Sequence, residues 1–109
     1  MPPEMTFNVV CCVGTALDPP RRFSPNRGVE AQVVFGFGIE SDSQFGVPAL
    51  REATLRVFVL GRRAEWVLSN VVPRGRLLVK GRIADLDDEG TRRPVIVADW
   101  VEIIRRGPA

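Results

Sequence analysis

Fourteen of the fifteen basic residues in this chain are arginines, and ten of those stand in close pairs: Arg21–Arg22, Arg62–Arg63, Arg74 with Arg76, Arg92–Arg93 and Arg105–Arg106. A guanidinium is a planar fork that grips phosphate or carboxylate oxygens in pairs and stacks on rings. Arginine in this number therefore points to contacts with phosphates or bases, the alternative being a set of solvated faces. Catalytic chemistry is poorly supplied. The chain has no histidine, so no Ser–His or Cys–His nucleophile can be assembled. It also lacks a G-x-x-x-x-G-K-[ST] phosphate loop. The carboxylates Asp85, Asp87, Asp88 and Glu89 could gather on a metal ion, but an acidic hairpin tip is more often simply solvated. Cys11 and Cys12 are adjacent and point to opposite faces of a strand, which argues against a bridge and for reduced, packed thiols. Two cysteines without histidine cannot form a zinc site. The expectation is a protein that is not an enzyme and holds no cofactor or metal.

The elements that must position these arginines are mostly strands. A first strand over 7–14 carries apolar residues on both faces, Phe7, Val9, Cys11 and Val13 on one and Val10 and Cys12 on the other. Such a strand lies between layers or at an interface between copies. Residues 15–28 hold Pro19, Pro20, Pro25 and Gly28 and read as turns. A second strand over 30–39 puts Val33, Phe35, Phe37 and Ile39 on one face and Gly36 and Gly38 on the other. Two glycines there suggest a bend, a bulge or a close approach of another chain. Phe35 reads as core, whereas Phe37 depends on what the glycines do to the alternation. Residues 40–50 read as a flexible connection and 54–61 as a third strand.

A short helix over 62–72 follows, its stripe made by Ala64, Val67, Leu68 and Val71 and its end by Pro73 and Gly75. Strands over 76–86 and 94–104 flank the acidic turn at 87–90. Three strands, a helix and two strands are the order of the five-stranded Greek-key oligonucleotide-binding barrel. Length allows one compact domain, over 7–105, between a disordered extension at 1–6 and a short end at 106–109. No segment has the length of a membrane span or the build of a signal peptide, which leads us to expect a soluble, intracellular protein.

Alternation places the chemistry on this frame. Arg56 and Phe58 share one face of the third strand, opposite Val57 and Val59, and Lys80 and Arg82 share one face of the fourth, opposite Val79 and Ile83. With the valine face inward, Arg56, Phe58, Lys80 and Arg82 form an outer wall of cations and a ring. The competing place for Phe58 is the core or an interface. Trp66 lies roughly opposite the helix stripe, and either Trp66 or Trp100 could anchor a partner; each could equally be a partly covered surface ring.

Four segments resemble, in order and spacing, the bacterial and phage single-stranded-DNA-binding protein family. They are F-N-V-V-C-C-V-G-T-A-L-D-P-P-R-R-F-S-P-N (7–26), R-V-F-V-L-G-R-R-A-E (56–65), V-P-R-G-R-L-L-V-K-G-R-I (72–83) and I-V-A-D-W-V-E-I-I (96–104). The resemblance implies an all-β fold, the oligonucleotide-binding barrel with one helix between strands three and four. It further implies binding of single-stranded DNA without sequence preference, in replication, recombination or repair, and a cytoplasmic, nucleoid-associated location. Candidate DNA contacts are Arg21, Arg22, Phe23 and Arg27 in and after the first loop, with Arg56, Phe58, Lys80 and Arg82 on the wall. For Phe23 the alternative is an anchor packed on the barrel.

Family members assemble through the first strand, which makes Phe7, Val9, Val10, Cys11 and Cys12 the expected interface of a dimer or tetramer, with Gly14 ending it. The family grips bases with aromatic rings. Its usual tryptophans fall near Ser41, Thr54 and Asp88 here, and its phenylalanine at Leu60. These departures remove stacking area worth about 1–3 kcal/mol per base. The sequence ends at R-R-G-P-A, so unless the protein continues beyond Ala109 the expectation is that it lacks the acidic tail by which the family recruits other proteins. It is similar as well to primosomal replication protein N, which makes a protein-interaction module with weak or no DNA binding the rival expectation.

Overall fold

The computed structural model describes residues 8–23, 32–40, 53–88 and 90–108. Strands β1 (Val10–Ala16), β2 (Arg21–Phe23), β3 (Gln32–Ile39) and β4 (Thr54–Val59) come first, followed by helix α1 (Arg62–Asn70). Strands β5 (Arg76–Asp88) and β6 (Thr91–Arg105) complete the chain. The sheet runs β1-β5-β6-β4-β3-β2, and β1 also pairs with β3, so five of the six strands close into a barrel. All pairings are antiparallel except that of β4 with β6. The helix stands between the third and fourth barrel strands, which is the oligonucleotide-binding topology.

Closure depends on β1, which pairs with β5 over Val10–Thr15 and with β3 over Gly14–Ala16. Both partners meet it at Gly14 and Thr15, and the first of these positions is a glycine. A Cβ on Gly14 would lie 2.2 Å from the Gly38 carbonyl oxygen and 2.7 Å from the Phe37 ring. β1 runs past this glycine to Ala16, so Gly14 permits barrel closure rather than ending the strand. Ahead of β1, the Asn8 carboxamide donates to the Ile83 carbonyl and accepts from the Ile83 N–H (2.7 and 3.0 Å). It acts as one more peptide unit of the β1–β5 ladder.

Inside, Val33, Phe35, Phe37, Val57, Val59, Leu77, Val79, Ile96 and Val101 pack into one core with Ala64 and Val67 of α1 and with Val71 just after it. Alternation therefore holds through the glycines of β3, and Phe37 is as buried as Phe35, the two rings meeting edge to face. The expected helix stripe is the one the barrel buries. α1 closes where expected, with Val71 as its C-cap and Arg74 in the left-handed region at φ 68°.

The expected interface strand divides by face. Val10 and Cys12 lie half-buried against the core of their own barrel. Burial, and then the neighbouring Cys11, push the Cys12 thiol above its usual range, which keeps it protonated. Val9 and Cys11 face outward and are exposed. Phe7, Arg27 and the extension at 1–6 lie outside the described residues. β2 was not expected. It is three residues long in a proline-rich stretch, too short for a periodic signal, and β3 holds it through backbone pairing.

Candidate nucleic-acid interface

Register across the outer wall sets the site. Arg21 of β2 stands opposite Val34 of β3, Val34 opposite Phe58 of β4, Phe58 opposite Val97 of β6 and Val97 opposite Arg82 of β5. Directly opposed residues share a face. One row of the wall therefore reads Arg21, Val34, Phe58, Val97, Arg82: two cations bracketing an apolar middle. The neighbouring row reads Gly36, Arg56, Val95, Ala84. Beyond it the β5–β6 hairpin brings Leu86 opposite Arg93. Together these surfaces enclose a groove of about 460 Å3 whose charged lining is Asp18, Arg21, Arg56 and Arg93, over a floor that includes Val34 and Val95. That volume lies within the range of small-molecule sites, large enough for a nucleotide.

Gly36 explains how the first loop reaches this groove. Leu17 N–H donates to the Gly36 carbonyl (2.9 Å), and Gly36 N–H donates to Asp18 Oδ1 (2.6 Å). A Cβ at Gly36 would stand 3.2 Å from that same carboxylate oxygen, so the absent side chain is what lets the loop lie down here. Leu17 covers Gly38 in the same way. The chain that approaches the two glycines is thus the protein's own Leu17–Asp18 segment.

Phe58 faces out of the barrel, as alternation requires, but it is only 5% exposed. It forms a second small cluster with Val34 and Val95, roofed by Phe23, whose ring meets it edge-on at 5.2 Å. The ring expected to stack on bases is therefore a buried support. The cause is β2, the unexpected strand, which carries Phe23 onto it. Phe23 itself remains half-exposed and borders a second hollow with Phe58 and Arg82.

Of the other expected contacts, Arg22 turns to the opposite side from Arg21. Its guanidinium binds Glu65 of α1 with both arms, at 2.8 and 3.0 Å. That hydrogen-bonded pair lowers the Glu65 carboxyl below its ordinary range. Lys80 is exposed on the outer face of β5, between Cys11 of β1 and Trp100 of β6 and beyond the bulge at Lys80/Gly81. The structure thus gathers Arg21, Arg56, Phe58, Phe23 and Arg82 on one wall, sets Lys80 one repeat further along β5 from Arg82, and turns Arg22 to the other side. Arg93 adds a cation that only the β4–β6 pairing brings near. Its membership in an arginine pair was the sole sequence signal.

The tryptophans make a different structure. The Arg63 guanidinium lies 3.9 Å from the Trp66 ring centre and 4.1 Å from that of Trp100, and it donates to the Val101 carbonyl (2.6 Å). β4 pairs with β6 only as far as Ala98, so Arg63 seals the strand edge where β4 has left it. This stack draws Trp66 against the core as a partly covered ring, one of the two expectations for it, while Trp100 stays 46% exposed. Asp85 and Asp87 stand exposed on the hairpin, and no cluster of three metal-ligating side chains forms among the described residues. No helix among them is long and apolar enough to cross a membrane.

Solved structures with the same architecture include single-stranded-DNA-binding proteins and domains. A small single-stranded DNA-binding protein from Streptomyces coelicolor superposes with TM-score 0.72 at 15% identity, covering 92% of this chain and 95% of that one. The fold is that of single-stranded-DNA-binding domains. A mitochondrial single-stranded DNA binding protein from S. cerevisiae gives TM-score 0.74 at 10% identity, over 95% and 100% of the two chains. The SSB domain of a Synechococcus sp. protein gives 0.69 at 12%, over 90% and 97%. No family model matches the chain. No curated protein matches it in sequence either.

Proposed function

We propose that this protein binds single-stranded DNA, without the stacking on several aromatic rings that such binding commonly uses. The observation that carries the reading is the arginine-bordered groove with its apolar floor on the outer barrel wall. Arg21, Arg56, Arg82 and Arg93 come from four different strands, and cations spread along such a track suit a chain of phosphates. Bases lie against the half-buried Val97 and the open part of Phe23, with Val34 and Val95 buried beneath as support. A strand held mainly by its backbone is bound with little regard to sequence and with strong dependence on salt. Solved structures of this fold include single-stranded DNA-binding proteins, which supports the same ligand.

Protection of exposed strands in replication, recombination or repair follows from that activity, in the nucleoid region of a bacterial cytoplasm. Assembly into a dimer or tetramer would use the outward residues Val9 and Cys11 and the edge of β1 that pairs with β5 alone before Gly14. A second reading, a protein-interaction module, is favoured by one observation. Trp100 is the most exposed aromatic ring among the described residues and lies outside the groove, beside the exposed Ile104.

Fluorescence anisotropy with a labelled 30-nucleotide single strand and the matching duplex separates the two. Single-strand binding that weakens with salt and exceeds duplex binding supports the proposal. Absence of binding at 50 mM salt overturns it in favour of the interaction module.

A further inference from the structure

The groove contains one carboxylate among its arginines, and that carboxylate is fixed. Asp18 Oδ1 accepts the Gly36 N–H at 2.6 Å, while the adjacent Leu17 N–H holds the Gly36 carbonyl at 2.9 Å. Two backbone anchors on a single residue pin the loop on the wall. The short side chain of Asp18 then has little freedom, with its Cγ within 3.7 Å of the position a Gly36 Cβ would take. One oxygen suffices for this anchoring. A carboxylate presents about four acceptor positions on its two oxygens. Asp18 takes part in no ion pair among the described residues, and it is exposed to the groove it lines.

A phosphate cannot approach a carboxylate without like-charge repulsion, and the three lining arginines offer it better places. The backbone therefore runs along Arg21, Arg56 and Arg93, and the group turned toward Asp18 is a base. A carboxylate accepts hydrogen bonds only. Guanine offers it adjacent ring N–H and exocyclic amino donors, and cytosine and adenine offer an amino group. Thymine presents a single ring N–H flanked by two carbonyl oxygens, which oppose the carboxylate.

From this geometry, and resting on the reading of the groove as a single-strand site, we infer that Asp18 gives the groove a base preference, guanine first and thymine last. The protein would then be a poor binder of oligo-dT relative to strands containing guanine. Asp18 is a specificity-determining residue in addition to its role as loop anchor.

The test uses three labelled strands of equal length: alternating dG-dT, alternating dI-dT, in which the guanine amino group is missing, and oligo-dT. With the wild-type protein the dG-dT strand is expected to bind about tenfold more tightly than oligo-dT, with dI-dT between them, one good donor–carboxylate contact being worth about that factor. Asp18→Asn keeps an oxygen for the Gly36 N–H but replaces acceptor capacity with an amide donor. It should abolish the guanine advantage and improve oligo-dT relative to dG-dT. Circular dichroism checks that this variant folds, and the wild-type comparison of dG-dT with dI-dT stands without any variant. Equal, salt-sensitive binding of all three strands by the wild type overturns the inference and leaves single-strand binding intact. Binding of none of them removes the reading on which it rests.

Discussion

Replacing the groove arginines singly by glutamine gives a prediction whose size follows from the register of the wall. Arg21, Arg56 and Arg93 come from β2, β4 and β6 and line one groove. If each neutralises one phosphate, each contributes about −0.7 to the slope of log K against log salt for a single strand. Between 50 and 200 mM salt, one such contact accounts for about a 2.5-fold loss of affinity, and the three together for about 15- to 20-fold. Arg56→Gln should therefore flatten the slope by about 0.7, and the triple variant by about 2. Arg22→Gln is the internal control, because its fork is occupied by Glu65 on the other side of β2. The assay is anisotropy titration at five salt concentrations with one labelled strand. Triple-variant slopes parallel to those of the wild type would refute the placement of the backbone in this groove. A flattening by Arg22→Gln equal to that of Arg56→Gln would refute the assignment of faces.

Phe58→Ala should destabilise the fold by about 3 kcal/mol in urea unfolding, because the ring is buried beneath Phe23, whereas Phe23→Ala should cost about half as much. Equal and small losses would show that the Phe23–Phe58 roof is open in solution. Gly81→Ala should cost at least about 2 kcal/mol by the same assay, its Cβ falling 2.0 Å from the Val97 carbonyl oxygen. Gly61→Ala meets nothing within 4 Å, yet its backbone at φ 66° and ψ −146° lies in a region nearly confined to glycine, and it should cost about 1–3 kcal/mol. Glu65 should titrate below the usual carboxylate range by NMR and return to it in Arg22→Gln. Its folded-state affinity for protons is lowered, so the β2–α1 link is complete above the unfolded-state pKa and is lost as pH falls through the folded one. An unchanged Glu65 midpoint in Arg22→Gln would show that the pair does not persist.

What the sequence disclosed and what it hid divide along the range of the interactions involved. Period-two alternation is a local property. It therefore located Val57 and Val59 inside, Arg56 and Arg82 outside, and Phe35 in the core without any knowledge of partners. The helix stripe was legible for the same reason. The roof over Phe58 was not, because it depends on three residues, Arg21–Phe23, that pair with β3 across the span 24–31 and carry no pattern of their own. Alternation gives the direction of a side chain but never what lies on top of it. Arg93 was hidden by a still longer range of contact. Its place in the groove requires the parallel pairing of β4 with β6, nearly forty residues apart, together with a hairpin long enough to lean over the wall.

The tryptophans teach the same lesson from the other side. Trp66 sits off the apolar stripe of its helix, and a free helix would expose it. Arg63 is held between the two indoles by the need to satisfy the Val101 carbonyl where β4 ends, and Trp66 is covered as a consequence. A strand edge left open by topology recruits an arginine, and the arginine recruits two rings. Arginine pairs in this sequence are therefore not one signal. Arg21 and Arg93 line the groove, Arg22 ties β2 to α1, and Arg63 closes a barrel edge, and only the strand register separates these roles.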